Sequence, residues 1–215
     1  MNLLEKISWR VRNIYFAKIK KRYLVFKDKL VIPPYEEKRQ INLGYKKQFG
    51  LHTFIETGTF LGDTIEQFKH DFDKLISFEL SEELALKAKN RFRSQPNITI
   101  IQGDSGALLP GLLTTINEPC LFWLDGHYSS EFFIGEEYIV TAKGDKNTPV
   151  IEELQAILAH PIKGHVILID DARCFNGKND YPTVKDIKNV ISAFGNKAVV
   201  TVKRDIIRIT PAVHG

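Results

Sequence analysis

The chain has 215 residues, 43% hydrophobic and 26% charged, a balance that suits a folded globular protein and excludes a disordered one. No apolar run approaches the ~20 residues needed to cross a bilayer, and the N-terminus lacks the apolar stretch of a signal peptide, so a cytoplasmic protein is expected. Nine Lys or Arg against two acids in residues 1–30 make +7 of a total of +4, leaving −3 for a mildly acidic remainder.

Within this basic arm Leu4, Ile7, Val11 and Ile14 recur at helical spacing, and the stripe continues through Tyr15 and Ile19 with Trp9 and Phe16 beside it. Such a helix either packs its stripe on the rest of the protein or lies on an anionic membrane, which would place the protein peripherally at the inner membrane surface. No nucleic-acid partner is expected, because no recognised binding module accompanies the charge. Pro33 and Pro34 close the arm, since proline cannot continue a helix. Glu36 to Phe49 reads as a short helix or lead-in that Gly50 stops, so residues 1–50 form an N-terminal helical extension and 51–215 one α/β domain.

From Thr53 the chain alternates strand and helix patterns, the signature of a mostly parallel sheet with helices on both faces. The expected strands are Thr53–Glu56, Lys74–Glu79, Ile98–Gln102, Cys120–Asp125, His165–Asp170, Ala198–Lys203 and Ile206–Thr210. The expected helices are Thr64–His70, Ser81–Phe92, a short one over Gly106–Leu113, Val150–His160 and Val184–Ala193. Only Arg204 and Asp205 separate the last two strands, too few for a crossover, so they form an antiparallel hairpin. Cys120 and Cys174 lack any partner spacing and read as reduced thiols.

The first strand runs into Glu56-Thr57-Gly58-Thr59-Phe60-Leu61-Gly62-Asp63-Thr64. Two glycines permit backbone geometry and close approach that a side chain would block, and Asp63 and Thr64 are good N-cap residues. The pattern is Glu-x-Gly-x-x-x-Gly and not the Gly-x-Gly-x-x-Gly that cradles a pyrophosphate, which argues against a nicotinamide-dependent oxidoreductase.

From about Leu51 onward the chain resembles the class I S-adenosylmethionine-dependent methyltransferases, a Rossmann-like seven-stranded fold ending in an antiparallel hairpin. The resemblance implies that Glu56, Thr57, Gly58, Gly62, Asp63 and Thr64 pass the methionine part of the cofactor. It further implies that Glu79, in Ile-Ser-Phe-Glu-Leu-Ser, accepts hydrogen bonds from the ribose hydroxyls, and that Asp104, with Ser105 beside it, contacts the adenine. The usual first motif has a further glycine where this chain has Phe60, which affects the path of the turn. A protein of this fold that binds cofactor or partner without transferring a methyl group is the alternative reading.

Two strands deliver acids to one sheet edge: Asp125 and His127 follow Cys120-Leu-Phe-Trp-Leu, and Asp170 and Asp171 follow His165-Val-Ile-Leu-Ile. Three converging carboxylates resist ionising unless something positive lies between them. A divalent cation is the simplest expectation, and oxygen ligands favour Mg²⁺. This arrangement resembles the metal-dependent O-methyltransferases, most closely the macrocin O-methyltransferase type that acts on sugar hydroxyls. The resemblance implies a metal at Asp125, Asp170 and Asp171, His127 as base, and a small-molecule or glycan acceptor. The plainer readings are a capped turn at Asp170-Asp171 and a loop-fixing histidine at His127. Arg173 is expected to pair with one of the acids, and Asn176, Lys178 and Tyr181 are weaker candidates for the acceptor pocket. Residues 128–149 form an insertion, either a lid with aromatic residues such as Tyr128, Phe132, Phe133 and Tyr138 over the acceptor or a surface excursion.

Overall fold

The computed structural model describes residues 31–128, 131–134, 137–140, 142, 144, 146–195 and 197–212, so the basic arm of residues 1–30 lies outside the described residues. Helix α1 (Tyr35–Phe49) comes first, ended by Gly50 in the left-handed region. The chain then runs β1 (Thr53–Thr57), α2 (Asp63–Phe68), β2 (Lys74–Glu79), α3 (Glu82–Arg91), β3 (Ile98–Gln102), α4 (Ser105–Leu113) and β4 (Cys120–Leu124). A short hairpin follows, β5 (Glu131–Ile134) and β6 (Glu137–Val140), then α5 (Val150–Ala159), β7 (Val166–Ile169), a 3₁₀ turn (Ala172–Cys174), α6 (Val184–Ala193), β8 (Ala198–Lys203) and β9 (Ile206–Pro211). None of the described helices is long and apolar enough to cross a membrane.

Seven strands make one sheet in the order β3-β2-β1-β4-β7-β9-β8, parallel except for β9, which runs antiparallel to both neighbours. The expected terminal hairpin is present, and Val202 pairs with Ile207 within it. β5 and β6 pair only with each other, within the span expected as an insertion.

The central strands are apolar on both faces because helices cover both. Along β4, Phe122 and Leu124 enter one core while Leu121 and Trp123 enter the other, as the two-residue period of a strand requires. The first core holds α4, α5 and α6 through residues such as Leu109, Leu154 and Ile187. The second holds α2 and α3, with Ile41, Leu43, Tyr45 and Phe49 of α1 packed at its side. Phe54, Phe68 and Phe72 form its aromatic centre, with ring centroids 4.9–5.6 Å apart. Sequence places α1 in the N-terminal extension, yet it is strapped to the sheet by polar ties as well: Arg39 to Asp71 at 2.7 Å, Arg204 to Glu37, and the Tyr35 hydroxyl to Thr64 at 3.3 Å.

Candidate functional site

The parallel strands end at one edge, where each chain segment must turn away into a helix and leaves its loop facing solvent. Above the ends of β1 to β4 lies a cavity of about 470 Å³. Gly58 and Phe60 line it from the β1 turn, Glu79 from β2, Asp104 and Ser105 from β3, and Asp125 and His127 from β4. Ala142, Gly144, Lys146 and Asn147, at the end of the insertion, supply a further wall.

The β1 turn owes its path to close backbone approach. Gly58 has φ +88°, and a Cβ there would stand 2.6 Å from the Asp125 carbonyl oxygen. Phe60, where a glycine is usual, adopts the left-handed conformation a glycine would, with φ +51°. Such backbone carries strain in a residue with a side chain and persists only where the surroundings hold it. Here the Phe60 N–H donates to Glu79 Oε2 at 2.7 Å, so the strained turn is pinned to the end of β2. The Ser81 N–H donates to Glu79 Oε1 at 2.9 Å. Burial raises the Glu79 pKa and these two backbone donors oppose the rise. The Leu80 N–H also reaches this carboxylate, which stays at the cavity wall as an acceptor.

Asp104 is the N-cap of α4, its Oδ1 accepting from the Gly106 N–H at 2.8 Å, and it also lines the cavity; the capping and binding readings are compatible. Ser105 donates to Glu153 Oε1 at 2.6 Å. Glu153 is 1% exposed, and burial pushes its pKa up to about 7.

Glu56 is placed differently from what the resemblance implies. It lies 1% exposed beneath the turn, outside the cavity lining, and accepts from the Ser77 hydroxyl at 2.6 Å. Ser77 in turn shares a hydrogen bond with Thr59 at 2.6 Å. Burial, with Asp125 and Glu79 nearby, raises the Glu56 pKa to about 8. Thr57, Gly62, Asp63 and Thr64 are also absent from the lining. Gly62 caps α2 at φ +82°, Asp63 pairs with Arg91 at 2.8 Å, and Thr64 meets Tyr35 of α1. The turn residues therefore shape the floor of the cavity, and only Gly58 and Phe60 of Gly58–Gly62 face it.

The acidic edge is assembled by the sheet: the Asp125 N–H donates to the Thr57 carbonyl and the Asp170 N–H to the Leu124 carbonyl, both at 3.1 Å. His127 Nε2 stands 3.2 Å from Asp125 Oδ1 and 3.2 Å from Asp171 Oδ2. Burial opposes protonation of His127, but the hydrogen bond it makes to Asp171 and the charges of Asp125 and Asp171 outweigh it and raise the pKa. Burial works against ionised Asp171 as well, yet His127 and Arg173 hold it down to about 2. Arg173 pairs with Asp171 at 2.6 Å and with Asp205, as the sequence leads one to expect. Asp125 lines the cavity, and burial lifts its pKa to about 7. Tyr181 reaches this group, its ring 6.0 Å from that of His127, while Asn176 and Lys178 tie off a turn between themselves.

The expectation of Mg²⁺ on Asp125, Asp170 and Asp171 meets a different arrangement. Among the described residues no cluster of three His, Cys, Asp or Glu side chains is disposed to hold a metal. The carboxylates are already matched with protein cations: Asp171 with His127 and Arg173, Asp125 with His127, and Asp170 with Lys38 of α1. The premise that something positive must lie between the acids stands; the side chains present provide it. Sequence reasoning missed Lys38 and Glu153, which meet their partners across 132 and 48 residues of chain, a separation that no local pattern encodes.

No family model matches the chain, and no curated protein matches it at significant similarity. Its likeness to solved structures is one of fold. An O-methyltransferase from Bacillus cereus, solved with S-adenosylhomocysteine, superposes with a TM-score of 0.55 at 13% identity over 90% of this chain and 89% of that one. An S-adenosylmethionine-dependent methyltransferase from Clostridium acetobutylicum gives 0.55 at 12% identity, covering 94% and 99%. The O-methyltransferase TomG from Streptomyces achromogenes, solved with S-adenosylmethionine, gives 0.53 at 13% identity, covering 85% and 82%. The chain thus has the Rossmann-like fold of the class I methyltransferases.

Proposed function

We propose that the protein is an S-adenosylmethionine-dependent methyltransferase acting on a hydroxyl of a small molecule, sugar or glycan precursor. The observation that carries the reading is the cavity itself, in which Gly58, Glu79 and Asp104 line the wall in the order in which a nucleoside with an amino-acid tail would need them. Gly58 leaves room that a Cβ would fill, and Glu79 offers a carboxylate oriented by two backbone donors, a fit for a ribose diol. Asp104 and Ser105 stand at the far wall for the base.

S-adenosylmethionine, when bound, supplies an activated methyl group whose carbon–sulfur bond breaks to a neutral thioether as the acceptor's oxygen–carbon bond forms. The protein's task is to align the acceptor hydroxyl and take its proton. Asp125 and His127 both face the cavity and stand 3.2 Å apart, so this pair receives the proton. Asp171 meets the same His127 nitrogen, Nε2, at 3.2 Å and steadies the ring. Because the neighbouring acids raise the His127 pKa, the pair is proton-free, and the reaction fast, only towards the alkaline side of the ordinary histidine range. Ala142, Gly144, Lys146 and Asn147 form the wall beside the acceptor. No step is assigned to a metal, because the carboxylates are matched by cations of the chain itself.

Calorimetric titration with S-adenosylmethionine and with NAD tests the reading. Saturable binding of S-adenosylmethionine alone is expected, weakened at least tenfold by Glu79→Ala, since a hydrogen bond to a charged group contributes about 1.5–3 kcal/mol. No binding at millimolar S-adenosylmethionine sinks the proposal, and binding of NAD instead replaces it with an oxidoreductase.

A further inference from the structure

Lys38 stands out among the charged groups that the reaction as drawn does not use. Its ammonium forms an ion pair with Asp170, whose side chain is 3% exposed, and lies 5.9 Å from the centre of the Trp123 ring. It sits one turn into α1, a helix that the sequence separates from the catalytic strands, and it reaches the edge only because α1 is tied down by Arg39–Asp71 and Arg204–Glu37. Between Lys38, Asn42, Trp123, Asp125 and Asp170 is a cell of about 30 Å³. Asp170 Oδ1 and Asn42 Oδ1 face no donor in it and are both buried. The space admits water, a donor that buried acceptor oxygens can use. A Mg²⁺ ion demands six oxygen ligands, whereas here the Lys38 ammonium already pairs with Asp170 beside Asp125. Asp125 borders this cell on one side and the large cavity on the other.

We propose that Lys38 is the resident cation of the acidic edge: it occupies the position a divalent ion would need, compensates Asp170 and Asp125, and makes the docking of α1 a condition for a complete reaction centre. The proposal rests on the methyltransferase reading for its consequence but not for its test. As a positioning residue Lys38 acts through Asp170 and Asp125, and not on the substrate.

The test uses Mn²⁺ as probe, read by electron paramagnetic resonance, on the full chain without acceptor. Wild type is expected to leave Mn²⁺ free at 1 mM, an arbitrary probe concentration of about the order where weak oxygen sites fill. Lys38→Met, which exposes the carboxylates, should bind Mn²⁺ at least tenfold tighter, and Lys38→Arg should restore the wild-type result. On the intact protein, which needs no variant to fold, S-adenosylmethionine affinity should change less than twofold when a chelator is added. Micromolar Mn²⁺ binding by wild type, equal Mn²⁺ binding by wild type and Lys38→Met, or a tenfold loss of cofactor affinity on chelation overturns the proposal. If no protein binds S-adenosylmethionine, the functional reading fails while the Mn²⁺ comparison still decides the role of Lys38.

Discussion

At the scale of single residues, two positions carry unusual backbone for a visible purpose. Gly58→Ala would place a methyl 2.6 Å from the Asp125 carbonyl in a left-handed conformation. That conformation alone costs roughly 1–2 kcal/mol in an L-residue, and the clash adds to it. A lowered melting temperature together with lost S-adenosylmethionine binding is expected; an unchanged titration would show that the turn does not shape the cavity. Asp171 also sits at positive φ, +55°, where asparagine is nearly as well tolerated. Asp171→Asn therefore keeps the backbone and removes the charge that holds a proton on His127. Followed by NMR, the His127 titration should lie above the ordinary 6.5 in wild type and move down in the variant. An unmoved midpoint would exclude Asp171 as the cause. Gly58 was legible in the sequence because Glu79 and Asp104 stand at the ends of the next two strands, although glycine turns after strands are common. The exclusion of Glu56 from the cavity was not, since sequence gives the strand and not the depth at which its last side chains lie.

At the scale of elements, the strands read from the sequence match closely where the hydrophobic run and the turn residues end together, as in Lys74–Glu79 and Ala198–Lys203. They differ where a polar residue prolongs the ladder. β1 runs on to Thr57, and β7 begins at Val166 and not at His165. His165 has another task below the sheet: its Nδ1 accepts the Cys120 N–H at 3.0 Å and its Nε2 meets His160 Nδ1 at 2.9 Å. This pattern needs the neutral ring, and burial, helped by His160 and Lys163, lowers its pKa from 6.5 to about 4. As pH falls below 6.5 the unfolded chain takes up the proton first, so stability is full above 6.5 and erodes down to about 4. Thermal melts of wild type and His165→Gln, which keeps polar character without titrating in this range, should diverge in slope across that window. Parallel profiles would reject the assignment. The β5–β6 hairpin escaped sequence reading because its strands are only four residues long and pair with nothing else.

At the scale of the whole molecule, the alternation of strand and helix made the sheet and its terminal hairpin legible, because each segment is long enough to show its own period. Strand order and the meeting of β4 and β7 follow from that topology. The acidic edge was legible as two acid-tipped strands, but its charge balance was not. Lys38 arrives from a helix before the sheet and Arg173 turns back onto Asp205, contacts that exist only once the chain is folded. The consequence is that Asp170 draws its counter-charge from α1, which does not line the cavity, so the integrity of that helix bears on the acidic edge.

On the methyltransferase reading, Glu56 and Glu153, neither of which lines the cavity, would register the charge of what enters it. Both are fully enclosed acids poised near neutrality, at about 8 and about 7, and so carry protons over much of the range around pH 7. A sulfonium cation arriving above them favours their ionised forms and drives protons into solution, whereas the uncharged thioether product drives out fewer. Titrations in two buffers of different ionisation heat should therefore give different apparent enthalpies for S-adenosylmethionine and closer ones for S-adenosylhomocysteine. Equal buffer dependence for the two would mean that the buried acids do not sense the charge. By that exchange the methyl donor and its spent form are told apart by heat alone, before any acceptor is found.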